Sequence, residues 1–306
     1  MTNAAHPPRS GLNDGDAVAF VALVLGALAM GASPIFVRLT DVGPFSSAFW
    51  RVAIALPFLW VWMVRSAARG RTETGTAWRN RAVLLCGLAF AGDLFFWHLA
   101  IMNTTVANAT FFATLSPVLV LLAGFLFFGR SILRTHMIGL LLCLTGGALL
   151  IGSSLRFQPD RLTGDVYGVI TAFFFAAYIL AAARARDDGV GAAALMFWSS
   201  AITAAVLLPI ALIFDDVFWP QSVEGAAHLL ALAVISQVGG QGLLAFALGA
   251  LSANFTALVI FMEGISAAIL GWIVLGEKLT LLEVLGALFI FTGVGVARHA
   301  ARKPSQ

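Results

Sequence analysis

Charge is scarce in this sequence. Of 306 residues, 18 are basic and 15 acidic, 11% in all, where soluble chains carry roughly 25%. With 60% hydrophobic residues and a mean hydropathy of +0.94, one soluble core has too little volume to hide the apolar surface. That excludes an ordinary soluble enzyme, a disordered chain and a nucleic-acid binder. Cysteine is nearly absent: Cys86 and Cys143 both lie inside apolar runs and read as small core residues, neither a disulfide nor a metal site. There is no H-E-x-x-H, no Walker A and no G-x-S-x-G, so no metal, cofactor or catalytic set is expected. The alternation of a membrane β-barrel is missing as well.

Long apolar runs are what remain. A helix needs roughly 20 apolar residues to cross a bilayer. Ten such stretches occur, at about 17–37, 45–64, 82–102, 106–128, 136–153, 165–183, 192–213, 227–249, 253–275 and 281–299. The polar start, with Pro7, Pro8 and Gly15, does not read as a cleaved signal peptide, so the first span is expected to be retained. Ten spans put both termini on one side. With that side cytoplasmic, 13 basic residues fall inside, among them Arg65, Arg69, Arg79, Arg81, Arg130, Arg134, Arg184 and Arg186. Only Arg38, Arg156, Arg161 and Lys278 fall outside. This is a positive-inside pattern. It predicts a multi-pass protein of a bacterial-type inner membrane with cytoplasmic termini. The basic pI near 9.3 is then a record of topology.

The halves of the chain resemble each other. At a shift of 147, Ala100 falls on Ala247, Gly129 on Gly276, Gly139 on Gly286, and Thr145-Gly146 on Thr292-Gly293. At 148, Phe49-Trp50 falls on Phe197-Trp198. Each repeat holds five spans, an odd number, so the second must enter the membrane inverted. The expected organisation is a cytoplasmic tail (1–16), a first repeat (17–153), an outer connecting loop (154–164), a second repeat (165–299) and a cytoplasmic tail (300–306). The fold class is all-α, ten transmembrane helices in two inverted five-helix repeats. Inverted repeats are the architecture of secondary transporters, with the solute site near the midplane between the halves; the same duplication also builds static bundles.

These segments resemble the drug/metabolite transporter superfamily, in its ten-span EamA-type group. The resemblance rests on Arg51 early in span 2, Ala100 at the end of span 3, Pro117 in the TLSPVL stretch, Gly276-Glu277 after span 9, and Glu263 in the position of the Glu of the second-half Glu-Pro pair. It covers about 17–299. Arg130 and Gly264 stand where the family usually has Glu and Pro. The resemblance implies movement of small metabolites, and the chain looks most like the amino-acid exporters, aromatic amino-acid exporters included.

Polar side chains inside spans are costly and mark function or interhelical bonds. Asp93 and Trp97 are four apart in span 3 and share a helix face, offering an acid and an indole to a ligand. Glu263 lies near the middle of span 9. Gln237 and Gln241 are four apart in span 8; the repeat sets them on Phe90 and Leu94, and Leu244 on Trp97. Tyr178 in span 6 carries a hydroxyl that needs a partner. These six are the candidate solute-binding residues, against the alternative of ordinary interhelical bonds. His98 reads as packed. Arg51 could pair with Asp93, Glu263 or a solute carboxylate, and its family position favours a structural pair. It is the only basic residue within a span, which argues against phosphorylated solutes. Pro34 and Pro117 are candidate hinges, since each removes a backbone hydrogen bond. Gly139, Gly146, Gly286 and Gly293 allow close helix approach, within the bundle or in a homodimer. The expected partners are membrane lipid and a small solute, most naturally an amino acid moved by alternating access. A drug or nucleobase exporter, an intramembrane enzyme and a sensory scaffold without solute flux are the alternatives.

Overall fold

In hydrocarbon a backbone cannot bond water, so apolar runs of this length satisfy their N–H and C=O groups internally as helices. The computed structural model describes residues 14–69, 77–104, 106–128, 134–151, 162–275 and 280–298. Among them all regular structure is helical. The expected tails at 1–13 and 300–306, the connecting loop at 154–161, and the motif positions Gly129-Arg130 and Gly276-Glu277 lie outside the described residues.

The helices are α1 (Asp14–Met30), α2 (Ser33–Leu39), α3 (Pro44–Ala68), α4 (Arg81–Asn103), α5 (Val106–Ala113), α6 (Ser116–Phe128) and α7 (Arg134–Ile151) in the first half. The second half holds α8 (Leu162–Asp187), α9 (Ala192–Phe214), α10 (Val223–Ala231), a π-helical segment π1 (Leu232–Gln241), α11 (Gly242–Ala247), α12 (Ala253–Val259), α13 (Met262–Leu275) and α14 (Leu281–Ala297). Joined where they run on, seven helices are long and apolar enough to cross a membrane, and shorter apolar helices stand at Phe111–Leu126, Arg134–Leu150 and Leu281–Ala297. These three fall where the sequence predicts spans 4, 5 and 10.

Local chemistry starts and stops the helices. Asn80 caps α4 by accepting from Ala82 N at 2.8 Å, and Thr280 with Glu283 forms a capping box on α14, answering N–H groups that the first turn leaves free. α8 ends in a Schellman turn: Val190 N donates to Ala185 O, Gly189 N to Arg186 O, and Gly189 takes φ +84°, which glycine allows without strain.

Three expected spans are interrupted. The chain turns at 31–32, at 114–115 and at 260–261. At these points bonds tighten from i−4 to i−3, as in Leu115 N to Phe112 O at 3.1 Å and Phe261 N to Leu258 O at 3.2 Å. The second and third breaks are repeat-equivalent, since 114 plus the shift of 147 is 261. Pro117 follows one, but Gly264 stands at its counterpart, so the break outlasts the proline. Span 8 is also not a plain α-helix, because ten of its residues are π-helical.

Packing repeats under exchange of the halves. α4 lies against α8 as π1 and α11 lie against α1; α3 pairs with α9 and α7 with α14. In the last pair a Cβ on Gly139 would meet Gly293 O at 2.8 Å, and one on Gly146 would meet Gly286 O at 2.6 Å. The numbering rises along one helix as it falls along the other, so α7 and α14 are antiparallel. Between these contacts the repeat-equivalent pair Cys143 and Ile290 meets, with Sγ 3.8 Å from the carbonyl oxygen. The two-fold axis relating the halves therefore runs perpendicular to the helices. All four predicted glycines are used in this internal contact.

Candidate solute-binding site

The three helix breaks and the end of π1 converge on one cavity. Met30, Ser33 and Pro34 line it from the first break, Ala113 and Thr114 from the second, Ile260 and Glu263 from the third, and Gln241 from π1. Arg51 of α3, four residues of α4 (Phe90, Asp93, Leu94, Trp97) and Thr171 and Phe175 of α8 complete the wall. The cavity has a volume of about 70 Å³. Helix breaks lining a cavity are where irregular backbone is tolerated at membrane depth.

Arg51 is 5% exposed. Its Nε donates to Gln237 Oε1 at 3.0 Å, and Gln237 Nε2 donates to Ser200 Oγ at 3.3 Å. The guanidinium also lies 5.7 Å from the Phe90 ring centroid. Arg51 is thus held between Phe90 and Gln237, the two residues that the repeat makes equivalent. No carboxylate among the described residues comes within 4 Å of it. Its electrostatic neighbours are Asp93 and Glu263. Its terminal nitrogens have no protein acceptor among the described residues and face the cavity.

Asp93 is 8% exposed and, among the described residues, has no hydrogen-bond partner. Trp97 stands one turn further along the same face. Glu263 is half-buried in the first turn of α13, a position that suits a carboxylate near the helix's N-terminal dipole. It too has no hydrogen-bond partner among the described residues.

Two predicted residues support the wall from behind. Tyr178, 2% exposed, donates from its hydroxyl to Gln241 Oε1 at 2.9 Å. That turns the Gln241 amide so that its N–H groups are free for the cavity. Tyr178 itself packs between Phe90 and Phe175, with centroids at 4.9 and 5.9 Å. Gln237 is fully buried and touches Arg51 and Ser200. Asp93, Trp97, Gln241 and Glu263 therefore meet at the cavity, while Tyr178 and Gln237 orient its polar groups. His98 is packed, its Nδ1 2.6 Å from Leu94 O.

Arg51 is the wall residue that a structural-pair assignment kept out of the candidate set; its signal was a lone basic residue within a span. Phe90, Thr114, Thr171 and Phe175 carry no sequence signal that separates them from ordinary core positions. Around the cavity the α1 break is held by the second half. Ser236 Oγ donates to Ala29 O at 3.2 Å, and Ser266 Oγ to Leu28 O at 2.6 Å.

At the end of the bundle where α2 and α9 finish, segments of opposite halves are bonded together. Ser46 N donates to Asp215 Oδ2, Gly43 N to Val217 O at 2.8 Å, and Trp50 Nε1 to Phe218 O at 2.8 Å. Ser222 Oγ donates to Asp41 Oδ2 at 2.7 Å. This hydroxyl holds the Asp41 carboxyl below its usual range.

A sequence model described as the EamA-like transporter family matches this chain twice, over residues 17–152 and 162–298. An uncharacterized transporter of Archaeoglobus fulgidus is 28% identical over 285 residues, covering 89% of this chain and 94% of its own length. An uncharacterized transporter of Bacillus subtilis is 25% identical, covering 91% and 88%. A pseudopaline exporter of Pseudomonas aeruginosa is 27% identical over 242 residues, covering 79% and 81%. A solved crystal structure superposes with a TM-score of 0.76 at 20% identity, over 94% of this chain and 97% of that one, and so shares its fold.

Proposed function

Because the chain belongs to the EamA-like transporter family, and is a multi-pass membrane protein, we propose that it is a secondary exporter of small amphipathic metabolites, amino acids first among them, working by alternating access. The observation that carries this reading is the cavity. It brings together a buried guanidinium, two carboxylates that have no hydrogen-bond partner among the described residues, and the ring of Trp97. A solute with a carboxylate, an ammonium and an apolar body answers all three.

The repeat supports alternating access, since two equivalent halves can exchange inner and outer openings. The bias of 13 basic residues against 4 supports ten spans with cytoplasmic termini in an inner membrane. The relative named as an exporter supports the direction.

The test is flux in proteoliposomes against a panel of neutral and basic amino acids, with and without a pH gradient. Flux above empty liposomes is expected for some members; none for any member overturns the reading. Asp93→Ala and Gln241→Ala are each expected to abolish that flux while the protein still elutes as a folded, monodisperse species. Unchanged flux would remove these residues from the site.

A further inference from the structure

The cavity carries an imbalance of charge that a neutral amino acid does not correct. Two carboxylates, Asp93 and Glu263, face it, against one guanidinium. Among the described residues Arg51 is the basic group acting on either acid, and it contacts neither within 4 Å. A zwitterion binding here sets its carboxylate on Arg51 and its ammonium on one acid. The other acid is then left without a counter-charge in an apolar interior, to be answered by a proton or by a second cationic group on the solute.

From this we infer that the site selects solutes with one carboxylate and two separated cationic groups, the diamino-acid class of lysine and ornithine. The inference rests on the transport reading above. The groups are arranged for it. Arg51 and the Gln241 amide, turned outward by Tyr178, are the donors for a carboxylate. Asp93 stands one turn beyond Phe90, the ring beneath Arg51, and takes the α-ammonium; Trp97 on the same face adds an aromatic surface for a cation. Glu263 comes from α13 of the other half and takes the second ammonium. Phe175 and Ile260, also in the wall, give the intervening methylenes an apolar path.

The experiment measures competing uptake of radiolabelled lysine and leucine by the full-length protein in proteoliposomes under an imposed potassium diffusion potential, first at equal pH on both sides and then with a pH gradient. Lysine is expected to be preferred by roughly tenfold or more, a difference of one well-paired charge. An inside-negative potential should speed lysine entry. Glu263→Gln is expected to shift the lysine-to-leucine ratio by roughly tenfold toward leucine, while Asp93→Asn lowers both fluxes. Preference for leucine in the unaltered protein overturns the inference and leaves the transport reading standing. So does leucine flux that requires a pH gradient, because a proton then answers the second acid. An unmoved ratio in Glu263→Gln also overturns it. If that variant does not fold, the ratio and its potential dependence in the unaltered protein decide alone. Absence of flux for every amino acid sinks the transport reading itself.

Discussion

A guanidinium within a membrane is stable where its N–H groups are answered, and at Arg51 the answer is partly given by Gln237, itself held by Ser200, and partly left to the cavity. Tyr178 plays the matching part for Gln241. Tyr178→Phe keeps the ring in its aromatic stack but strands a buried amide oxygen. The expected cost is about 1–3 kcal/mol, read as a lower unfolding temperature in detergent, with KM for the solute raised more than kcat is lowered. A lowered kcat at unchanged KM would mean that the bond does not orient the binding group. Asp93, Gln241 and Glu263 stood out in the sequence because ionisable or amide groups are conspicuous in apolar runs, and Trp97 because it shares a helix face with Asp93. Tyr178 and Gln237 were left between solute contact and interhelical bond, because sequence spacing gives a helix face but not which of two neighbouring elements that face meets. Arg51 was expected to pair with Asp93, Glu263 or a solute carboxylate; the protein partner it has among the described residues is an amide from the other half, Gln237.

Among the elements, the hydropathy pattern was enough to place the helices, and the spacing of seven between Gly139 and Gly146, and between Gly286 and Gly293, anticipated a contact face. The contact is tight: a methyl group on Gly146 would lie 2.6 Å from Gly286 O and 2.8 Å from Ile290 Cγ1. Gly146→Ala is therefore expected to destabilise the protein by about 1–3 kcal/mol through overpacking, measured by thermal unfolding in detergent. Gly295, whose Cβ would meet nothing within 4 Å, is the control and should tolerate alanine. The interruptions were harder to see. Pro117 hinted at the break near 114–115, but no proline stands near 260–261 to mark its counterpart. The π-helical segment was invisible, since four-residue spacing of Gln237 and Gln241 fits an α-helix equally well and the extra width appears only in the backbone.

At the scale of the whole molecule, each half supplies groups that complete the other: Glu263 and Gln241 face Arg51 and Asp93, and Ser236 and Ser266 hold the end of α1. The bonds from 41–50 to 215–222 join the halves at one end of the bundle, so alternating access requires them to part. A Cβ at position 43 would lie 2.6 Å from Asp215 Cβ, and a disulfide needs about 3.5–4.5 Å, reached by a small shift of these loop ends. Gly43→Cys with Asp215→Cys is expected to stop flux when oxidised and restore it on reduction. Flux that persists in the fully oxidised protein would show that this end does not open. Native Cys86 and Cys143 are buried and should not interfere.

The glycine contact between α7 and α14 has a consequence for how such a chain can change over generations. Where the two-fold axis passes, the halves are each other's surroundings: Gly146 lies against Gly286, the counterpart of Gly139, and Gly139 against Gly293, the counterpart of Gly146. Away from the axis the copies have drifted, with Asp93 opposite Gly240 and Pro117 opposite Gly264, and that drift is what made the cavity chemically lopsided. At the axis any substitution in one copy alters the environment of the other at once. Divergence there is coupled: where the copies do differ at the axis, as at Cys143 and Ile290, the two changed residues meet each other.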